Sequence, residues 1–223
     1  MSSRKCQSCG LVNWAEGGAC KRCGSPLDGS APPALEENES RGGGGLVRRA
    51  LVLVGVVLLL LVAFYVSLLA TSEPVKPEQR QLIERAVALL EEKGLGEHTT
   101  ALRRLASYRA TDNWWNRWNG HRDAYAATNF PFEIVTLYPE FFTKTEDDTE
   151  RAVVLLHESY HLSGGGEERA YTSVWRDKQR LGWTRERYGR TRVWQTVREF
   201  TAQNAPELFR CGEDGKGDCL EVN

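Results

Sequence analysis

Two histidines and a glutamate stand at the spacing that a catalytic metal centre needs. They form the pattern His-Glu-x-x-His at His157, Glu158 and His161. Because residues four positions apart share one face of a helix, the two imidazoles can converge on a single metal ion. Zinc accepts neutral imidazole nitrogen and keeps a position open for water in catalytic sites. Glu158 is placed to act as a general base toward that water, so the pattern favours zinc-dependent hydrolysis.

A third ligand is needed, because two histidines are too few for a stable catalytic zinc site. Three consecutive glycines, 164–166, are expected to end the helix and let the chain reverse. Glu167 follows them, six positions after His161, and is the predicted third ligand. Glu168 is the alternative ligand, and otherwise a solvated residue in the first turn of the next helix.

The residues before the motif predict a helix that enters the core. Asp147 or Asp148 can cap its start, and Glu150 favours its first turn. The apolar run Ala152–Leu156 then carries the helix, and the histidines with it, into the interior. The alternative interpretation is a pair of helix histidines satisfied by local hydrogen bonds, without a metal.

The run at residues 153–171 resembles the zincin metallopeptidases. Read as His-Glu-x-x-His-x-x-Gly-x-x-Glu, it is similar to the metzincin ligand spacing with Glu in place of the third His. The single methionine is Met1, so no Met-turn can follow. The Glu-x-x-Ala-Tyr segment at 167–171 is more similar to gluzincins, in which a Glu opening the next helix binds the metal. The resemblance implies one catalytic zinc on His157, His161 and Glu167, Glu158 as general base, and a peptide or protein substrate.

Four cysteines near the start of the chain form two Cys-x-x-Cys pairs, Cys6 with Cys9 and Cys20 with Cys23. Two such pairs can supply four thiolates to one tetrahedral zinc. A module this small cannot bury a sufficient core, so the metal must hold it folded. The pattern predicts a structural zinc ribbon over residues 1–25, with two disulfides or a redox pair as the alternatives.

With Asn13 between the two pairs, the segment resembles RanBP2-type zinc fingers, which often bind single-stranded RNA or ubiquitin. Those fingers usually carry a Trp two residues before the first Cys, where this chain has Arg4, and here Trp14 follows the Asn instead. We therefore expect a cytoplasmic protein partner or a purely structural role for the ribbon, and no nucleic acid. The net charge of −1 likewise provides no strong field for nucleic acid.

A linker and a membrane segment follow the ribbon. Residues 26–48 combine prolines, an acidic run and four glycines, which cannot build a core, and predict a flexible linker. Residues 49–72 contain a run of about 20 apolar residues, enough to cross a hydrocarbon core of roughly 30 Å. This predicts one transmembrane helix, which lies too far from the N-terminus for a cleaved signal peptide.

The charges that flank this helix predict its orientation in a cell membrane. Arg48 and Arg49 precede it and Glu73 follows, so the positive-inside rule places the N-terminus in the cytoplasm. Residues after Ser72 then lie in the periplasm or outside the cell. The reduced thiolates that the ribbon needs agree with a cytoplasmic location.

Residues 73–223 are predicted to form a mostly helical, zincin-like α+β domain with a small sheet. In its last part, Cys211 and Cys219 flank a short Gly-rich loop that suits a disulfide in an oxidising compartment, with two unpaired thiols as the alternative. Helices are expected at 74–94, from Thr99 or Thr100 through Arg109, from 168 to Leu181, and over 194–204. Phe132–Tyr138 is the best strand, and the resemblance implies that it is the sheet edge that aligns a peptide substrate.

Several aromatic residues and histidines in this domain have alternative roles. Three tryptophans are candidates for lining a substrate cleft or for packing: Trp114, Trp115 and Trp118. Five further residues are candidates for stabilising an oxyanion, each with packing or surface placement as the alternative: His98, His121, Tyr160, Tyr171 and Tyr188.

The sequence thus favours a membrane-anchored zinc metallopeptidase. Two hypotheses from other classes remain. One is a catalytically inactive, membrane-tethered binding protein with a structural metal site. The other is a signalling adaptor, in which the ribbon contacts a partner and the outer domain senses a ligand.

Overall fold

The computed structural model describes residues 2–14, 17–27, 42–120, 124–211 and 217–221. The chain divides into two compact units, Met1–Val57 and Leu58–Asn223. The prediction of a mostly helical α+β protein with a small sheet, one long apolar helix and a four-cysteine cluster is confirmed.

The first unit contains a small hairpin. Strands β1 (Ser3–Lys5) and β2 (Val12–Trp14) pair antiparallel, with Arg4 opposite Asn13. The part of the predicted linker at 28–41 lies outside the described residues.

Helix α1 runs over Gly42–Ala70, so it begins within the predicted linker. Its Gly45–Ala70 part is long and apolar enough to cross a membrane, judged by length and composition. Large apolar side chains from Leu46 to Val62 are exposed, which is compatible with a membrane-spanning helix.

The second unit is built from short helices and a three-stranded sheet. Its helices are α2 (Pro77–Glu92), α3 (Gly96–Arg104), α4 (Trp114–Asn119), α5 (Pro139–Thr143), α6 (Asp148–Leu162), α7 (Glu167–Leu181), α8 (Arg185–Tyr188) and α9 (Arg192–Asn204), with a final 3-10 turn at Pro206–Phe209. Its strands are β3 (Ser107–Arg109), β4 (Ala126–Asn129) and β5 (Ile134–Leu137).

The sheet corrects the expectation about the substrate-aligning edge. Its strand order is β3-β5-β4, with β3 parallel and β4 antiparallel to β5. The predicted strand Phe132–Tyr138 contains β5, which is the central strand and is buried at every residue. A strand this apolar belongs between neighbours, and the edge next to the candidate site is formed by β4.

The predicted helix through Arg109 is also wrong at its end. Helix α3 begins at Gly96 and ends at Arg104, and Ser107–Arg109 forms β3. Pairing with β5 lets Tyr108 become buried, with its hydroxyl donating to the Leu102 carbonyl at 2.9 Å. The stability gained by pairing β3 with β5 and burying Tyr108 outweighs the stability of a longer α3.

Helix α6 lies at the centre of the core, in contact with α2, α3, α7 and β4. Its cap is Asp147, whose carboxylate accepts hydrogen bonds from the backbone N–H groups of Thr149 and Glu150 at 2.9 and 3.2 Å. All residues of Ala152–Leu156 are buried, as the sequence predicts. Glu150 is also buried. Its carboxylate accepts hydrogen bonds from the Glu146 N–H and from the hydroxyl of Thr191, the N-cap residue of α9. These contacts fix the helix that carries the motif.

Candidate metal centre

Three side chains converge where α6 ends and α7 begins. The Nε2 atoms of His157 and His161 are 3.0 Å apart. The Glu167 carboxylate lies 3.2 Å from Nε2 of His157 and 3.5 Å from Nε2 of His161. Ligand atoms about 2.0–2.1 Å from a tetrahedral zinc are about 3.4 Å from one another. The two imidazole nitrogens and the two oxygens of the Glu167 carboxylate, one facing each histidine, therefore lie at separations close to those between zinc ligands.

The glycine turn between the helices makes this convergence possible. Gly164 has φ +76°, in the left-handed region that favours glycine. A Cβ on Gly165 would lie 2.9 Å from the Tyr160 carbonyl oxygen, so no side chain fits there. The turn reverses the direction of the chain within three residues, which places Glu167 opposite the histidines of the preceding helix.

The same turn orients one of the histidines. Nδ1 of His161 donates to the Gly165 carbonyl oxygen at 2.8 Å, because a carbonyl can only accept. The proton on Nδ1 leaves the Nε2 lone pair of neutral His161 directed at the cluster, as a metal ligand requires.

The electrostatics of the cluster favour a cation. Burial lowers the pKa of His161, but its hydrogen bond with Glu167 and the nearby Glu158 carboxylate outweigh burial and raise the pKa to about 9. Hydrogen bonds from His157 and His161 hold the pKa of Glu167 well below its usual range. A divalent ion at this position would compete with protons for the same sites.

Glu158 lies beside the cluster and is only 4 % exposed. Its carboxylate accepts a hydrogen bond from the Thr128 hydroxyl of strand β4 at 2.7 Å. Both residues line a cavity of ≈ 400 Å³ together with the two histidines and Glu167. A buried carboxylate held in one orientation next to a candidate metal site is suited to proton transfer.

Tyr171 is the predicted tyrosine that the structure brings to the site. It lines the cavity, with its ring centroid 4.3 Å from that of His157. Burial raises its pKa, so the phenol keeps its proton and can donate it in a hydrogen bond. Tyr188 instead donates to the Asp147 cap, and Tyr160 packs on His98, so both have structural contacts away from the cavity wall.

The other sequence candidates lie elsewhere. His98 shares a hydrogen bond with the Ser159 hydroxyl and does not line the cavity. His121 lies outside the described residues. Glu168 is exposed and is not part of the metal-binding group. Trp114 and Trp115 of α4 pack against Phe64 near the end of α1, and Trp118 packs against Trp115. None of these three tryptophans lines the cavity.

Sequence reasoning missed much of the cavity wall, including Thr128 and Phe130. Thr128 precedes the predicted strand and belongs to no motif, so only the β4–β5 register brings it to Glu158. Phe130 follows it in the turn and packs over Gly164. The only sequence feature that could have indicated Thr128 is a polar residue in a segment of low strand propensity, next to a segment of high strand propensity. Many residues share that feature, so it does not identify a site.

The four N-terminal cysteines form a second metal-binding group. Sγ of Cys6 is 3.6 Å from Sγ of Cys23, and Sγ of Cys9 is 3.5 Å from Sγ of Cys20. Ligands at a Zn–S distance of about 2.3 Å are about 3.8 Å apart. All four thiols are free, which contradicts the alternative of two disulfides.

Asn13 supports this second group from within. Its side-chain amide donates to Sγ of Cys20 at 3.4 Å, and its side-chain oxygen accepts from the Lys21 N–H at 3.0 Å. Backbone N–H groups of Cys23 and Arg22 lower the pKa of the Cys20 thiol to about 6, which favours the thiolate that zinc binds.

At the other end of the chain, Cys211 and Cys219 are bonded, so the predicted disulfide is confirmed.

Comparison of the chain with models of protein families, with curated proteins and with solved structures found no match. The residues of the site are therefore the basis for assigning a function to this chain.

Proposed function

We propose that this chain is a membrane-anchored, zincin-type metallopeptidase that hydrolyses peptide bonds. One observation carries the proposal: the ligand atoms of His157, His161 and Glu167 converge, at zinc-like spacing, in a cavity that also contains the buried carboxylate of Glu158. A purely structural site has no need of a held, buried carboxylate beside an accessible cavity.

The chemistry divides between the metal and the protein. Zinc in such a site supplies a water of lowered pKa, about 7, and polarises a carbonyl oxygen. Glu158 takes the proton of the attacking water and delivers it to the leaving amine. Thr128 holds the carboxylate in place for both transfers, and the Tyr171 hydroxyl is available to donate to the oxygen of the cleaved carbonyl.

Strand β4 gives the cavity a means of aligning an extended peptide. The Tyr138 N–H donates to the Tyr125 carbonyl, and the hydrogen-bonded pairs alternate from there along β4 and β5. The backbone groups of Ala126 and Thr128 therefore point away from β5, along an edge with no strand partner among the described residues. A substrate strand can add to this edge directly above Glu158.

Helix α1 and the N-terminal zinc ribbon are assigned roles in the same proposal. Helix α1 spans a cell membrane once, with Arg48 and Arg49 on the cytoplasmic side, so the peptidase unit faces the periplasm or the exterior. The four-cysteine group binds a structural zinc, and the exposed side chains of Val12 and Trp14 suit contact with a cytoplasmic protein.

The test is replacement of Glu158 by Gln in the full-length protein. General acid–base catalysis contributes about 10²–10⁴-fold, so cleavage of a quenched fluorogenic peptide library should fall by that factor. Bound zinc should be unchanged. Glu168→Gln, at an exposed position, is the matched control and should cleave like the wild type. A Glu158→Gln variant as active as the wild type would overturn the assignment, and zinc binding without any cleavage would favour a tethered binding protein.

A further inference from the structure

Several large apolar side chains of the second unit are exposed to solvent. Beyond residue 72, the described large apolar residues that are exposed are Leu105, Trp115, Trp118, Phe130 and Phe200. Trp118 is 78 % exposed and Phe130 is 59 % exposed, which is unusual for such side chains in contact with water. Trp115 and Trp118 belong to α4, which packs on the last turns of α1, while Leu105 and Phe130 each lie two residues from a residue that contacts α1.

Aromatic contacts join these segments to α1. The ring of Phe64, in α1, is 5.9 Å from the ring of Trp115 and 5.3 Å from that of Phe132. Tyr65 stacks on Phe132 at 6.2 Å, and the Trp115 ring is 6.3 Å from that of Trp118. The rings of Trp115 and Trp118 thus extend outward from Phe64, and Phe130 lies two residues from Phe132 in the β4–β5 turn. Trp115, Trp118 and Phe130 are together termed the patch.

Polar contacts hold the same region firmly. Nε1 of Trp114 donates to the Ser67 hydroxyl at 3.0 Å, and Arg117 donates to the Thr71 carbonyl at 3.3 Å. Leu68, between these positions, is 1 % exposed. Helix α4 is therefore fixed to the end of α1, so a membrane that surrounds α1 must also meet α4.

The length of α1 fixes how close the patch comes to lipid. A hydrocarbon core of roughly 30 Å takes about 20 helical residues. Counted from Ala50, directly after Arg49, these residues end at Leu69, so Phe64 and Tyr65 lie inside the lipid. If Arg49 instead extends its side chain back to the interface, the core can end at Tyr65. Both placements put the rings that contact Phe64 and Tyr65 at the lipid boundary or within it.

We propose that Trp115, Trp118 and Phe130 seat the second unit on the bilayer surface from which α1 emerges. The tryptophans suit this position, because an indole combines an apolar ring with a polar N–H and is enriched at membrane interfaces. The occupant of the patch is thus the headgroup region of the lipid in which α1 is embedded.

If the chain is the peptidase proposed above, this placement also specifies its substrate class. The β4–β5 turn joins the patch to the cavity: Phe132 contacts α1, while Phe130 lines the cavity and packs over Gly164 beside the metal ligands. The mouth of the site lies within two residues of the lipid contact. The substrates are therefore peptide segments at the membrane surface, such as those that flank a membrane helix.

Lipid contact can be measured without any activity. The full-length protein is placed in bilayer discs of phosphatidylcholine and phosphatidylglycerol, with bromine near the headgroup end of the acyl chains to quench tryptophan. The core residues Trp175, Trp183 and Trp194 are buried and should not be quenched. The quenched part of the emission should fall by about a third in Trp118→Ser, since Trp114, which packs on Phe64 of α1, shares it with Trp115 and Trp118.

Trp14→Ser is the matched control for this measurement, because Trp14 is 64 % exposed in the other unit. It should leave the quenched emission unchanged, and circular dichroism should show that both variants are folded. Equal quenching of wild type and Trp118→Ser would overturn the proposed seating.

The substrate class is tested with one peptide library attached to a lipid anchor through a short or a long flexible spacer. A site seated on the bilayer reaches the short-spacer form, so wild type should cleave it at least as fast as the long-spacer form. The Trp115→Ser/Trp118→Ser variant should lose about tenfold on the short spacer alone. Equal rates on both spacers in both proteins would overturn the substrate class while the peptidase proposal stands. Absence of cleavage in every arm would overturn the peptidase proposal itself, and quenching would still decide the seating.

Discussion

The strongest stability prediction concerns Lys178, whose side chain is fully buried in the second unit. Its ammonium donates to the Asp218 carboxylate and, at 2.6 Å, to that of Glu221. It also lies 4.2 Å from the centroid of the Trp175 ring. Because α7 carries both Lys178 and the candidate ligand Glu167, these contacts connect the C-terminal segment to the helix that begins at the candidate metal site.

The expected loss in the free energy of unfolding depends on which charged group each substitution leaves buried. The double variant Asp218→Asn/Glu221→Gln keeps the side-chain shapes but leaves the ammonium without a counter-charge, which costs about 3–5 kcal/mol. For a domain of this size, 1 kcal/mol lowers Tm by about 2–4 °C, so we expect a fall of about 6–20 °C. Adding Lys178→Met to this background removes the unpaired charge and should restore most of the loss.

The assay is thermal unfolding of the full-length protein in detergent, followed by tryptophan fluorescence without reductant. Glu84→Gln is the control, because Glu84 pairs with Arg80 at 3.5 Å on the surface and should contribute less than about 1 kcal/mol. A double variant that melts within about 2 °C of the wild type would refute the reasoning. So would a triple variant that melts no higher than the double.

Two further predictions concern the site. Thr128→Val removes a hydrogen bond to the Glu158 carboxylate worth about 1.5–3 kcal/mol, so kcat/KM on a cleaved peptide should fall about 10- to 150-fold at constant zinc content. Thr128→Ser keeps the hydroxyl and should stay near wild type; equal rates for the two variants would contradict the role. Gly165→Ala must displace the turn from the Tyr160 carbonyl and should weaken zinc binding about 10- to 100-fold in a chelator competition. Gly166→Ala, where a Cβ meets nothing within 4 Å, is its control, and the prediction fails if both bind zinc equally.

Local signals account for the parts of the site that could be predicted. The Asp147 cap, the buried Ala152–Leu156 face and the glycine turn each act within a few residues, and each is where the sequence indicates. Ligand spacing across one helix and one turn is likewise a local property. This is why the histidine pair and Glu167 come together as expected.

Long-range pairing decided what could not be predicted. Strand β4 reads Ala-Ala-Thr-Asn, which has little strand propensity and is held by its register with β5. Strand β3 forms because pairing with β5 buries Tyr108, a gain that no local window contains. The buried Lys178 looks like a surface residue of α7 until the disulfide-linked C-terminal segment supplies its carboxylates.

The central claim is that two separate zinc sites exist, one of them on His157, His161 and Glu167. The direct measurement is the zinc content of the full-length protein by mass spectrometry, after dialysis against metal-free buffer. The account predicts two zinc ions per chain in the wild type and in His98→Ala, and one in His157→Ala. One ion per chain in the wild type, with no change in His157→Ala, would contradict it.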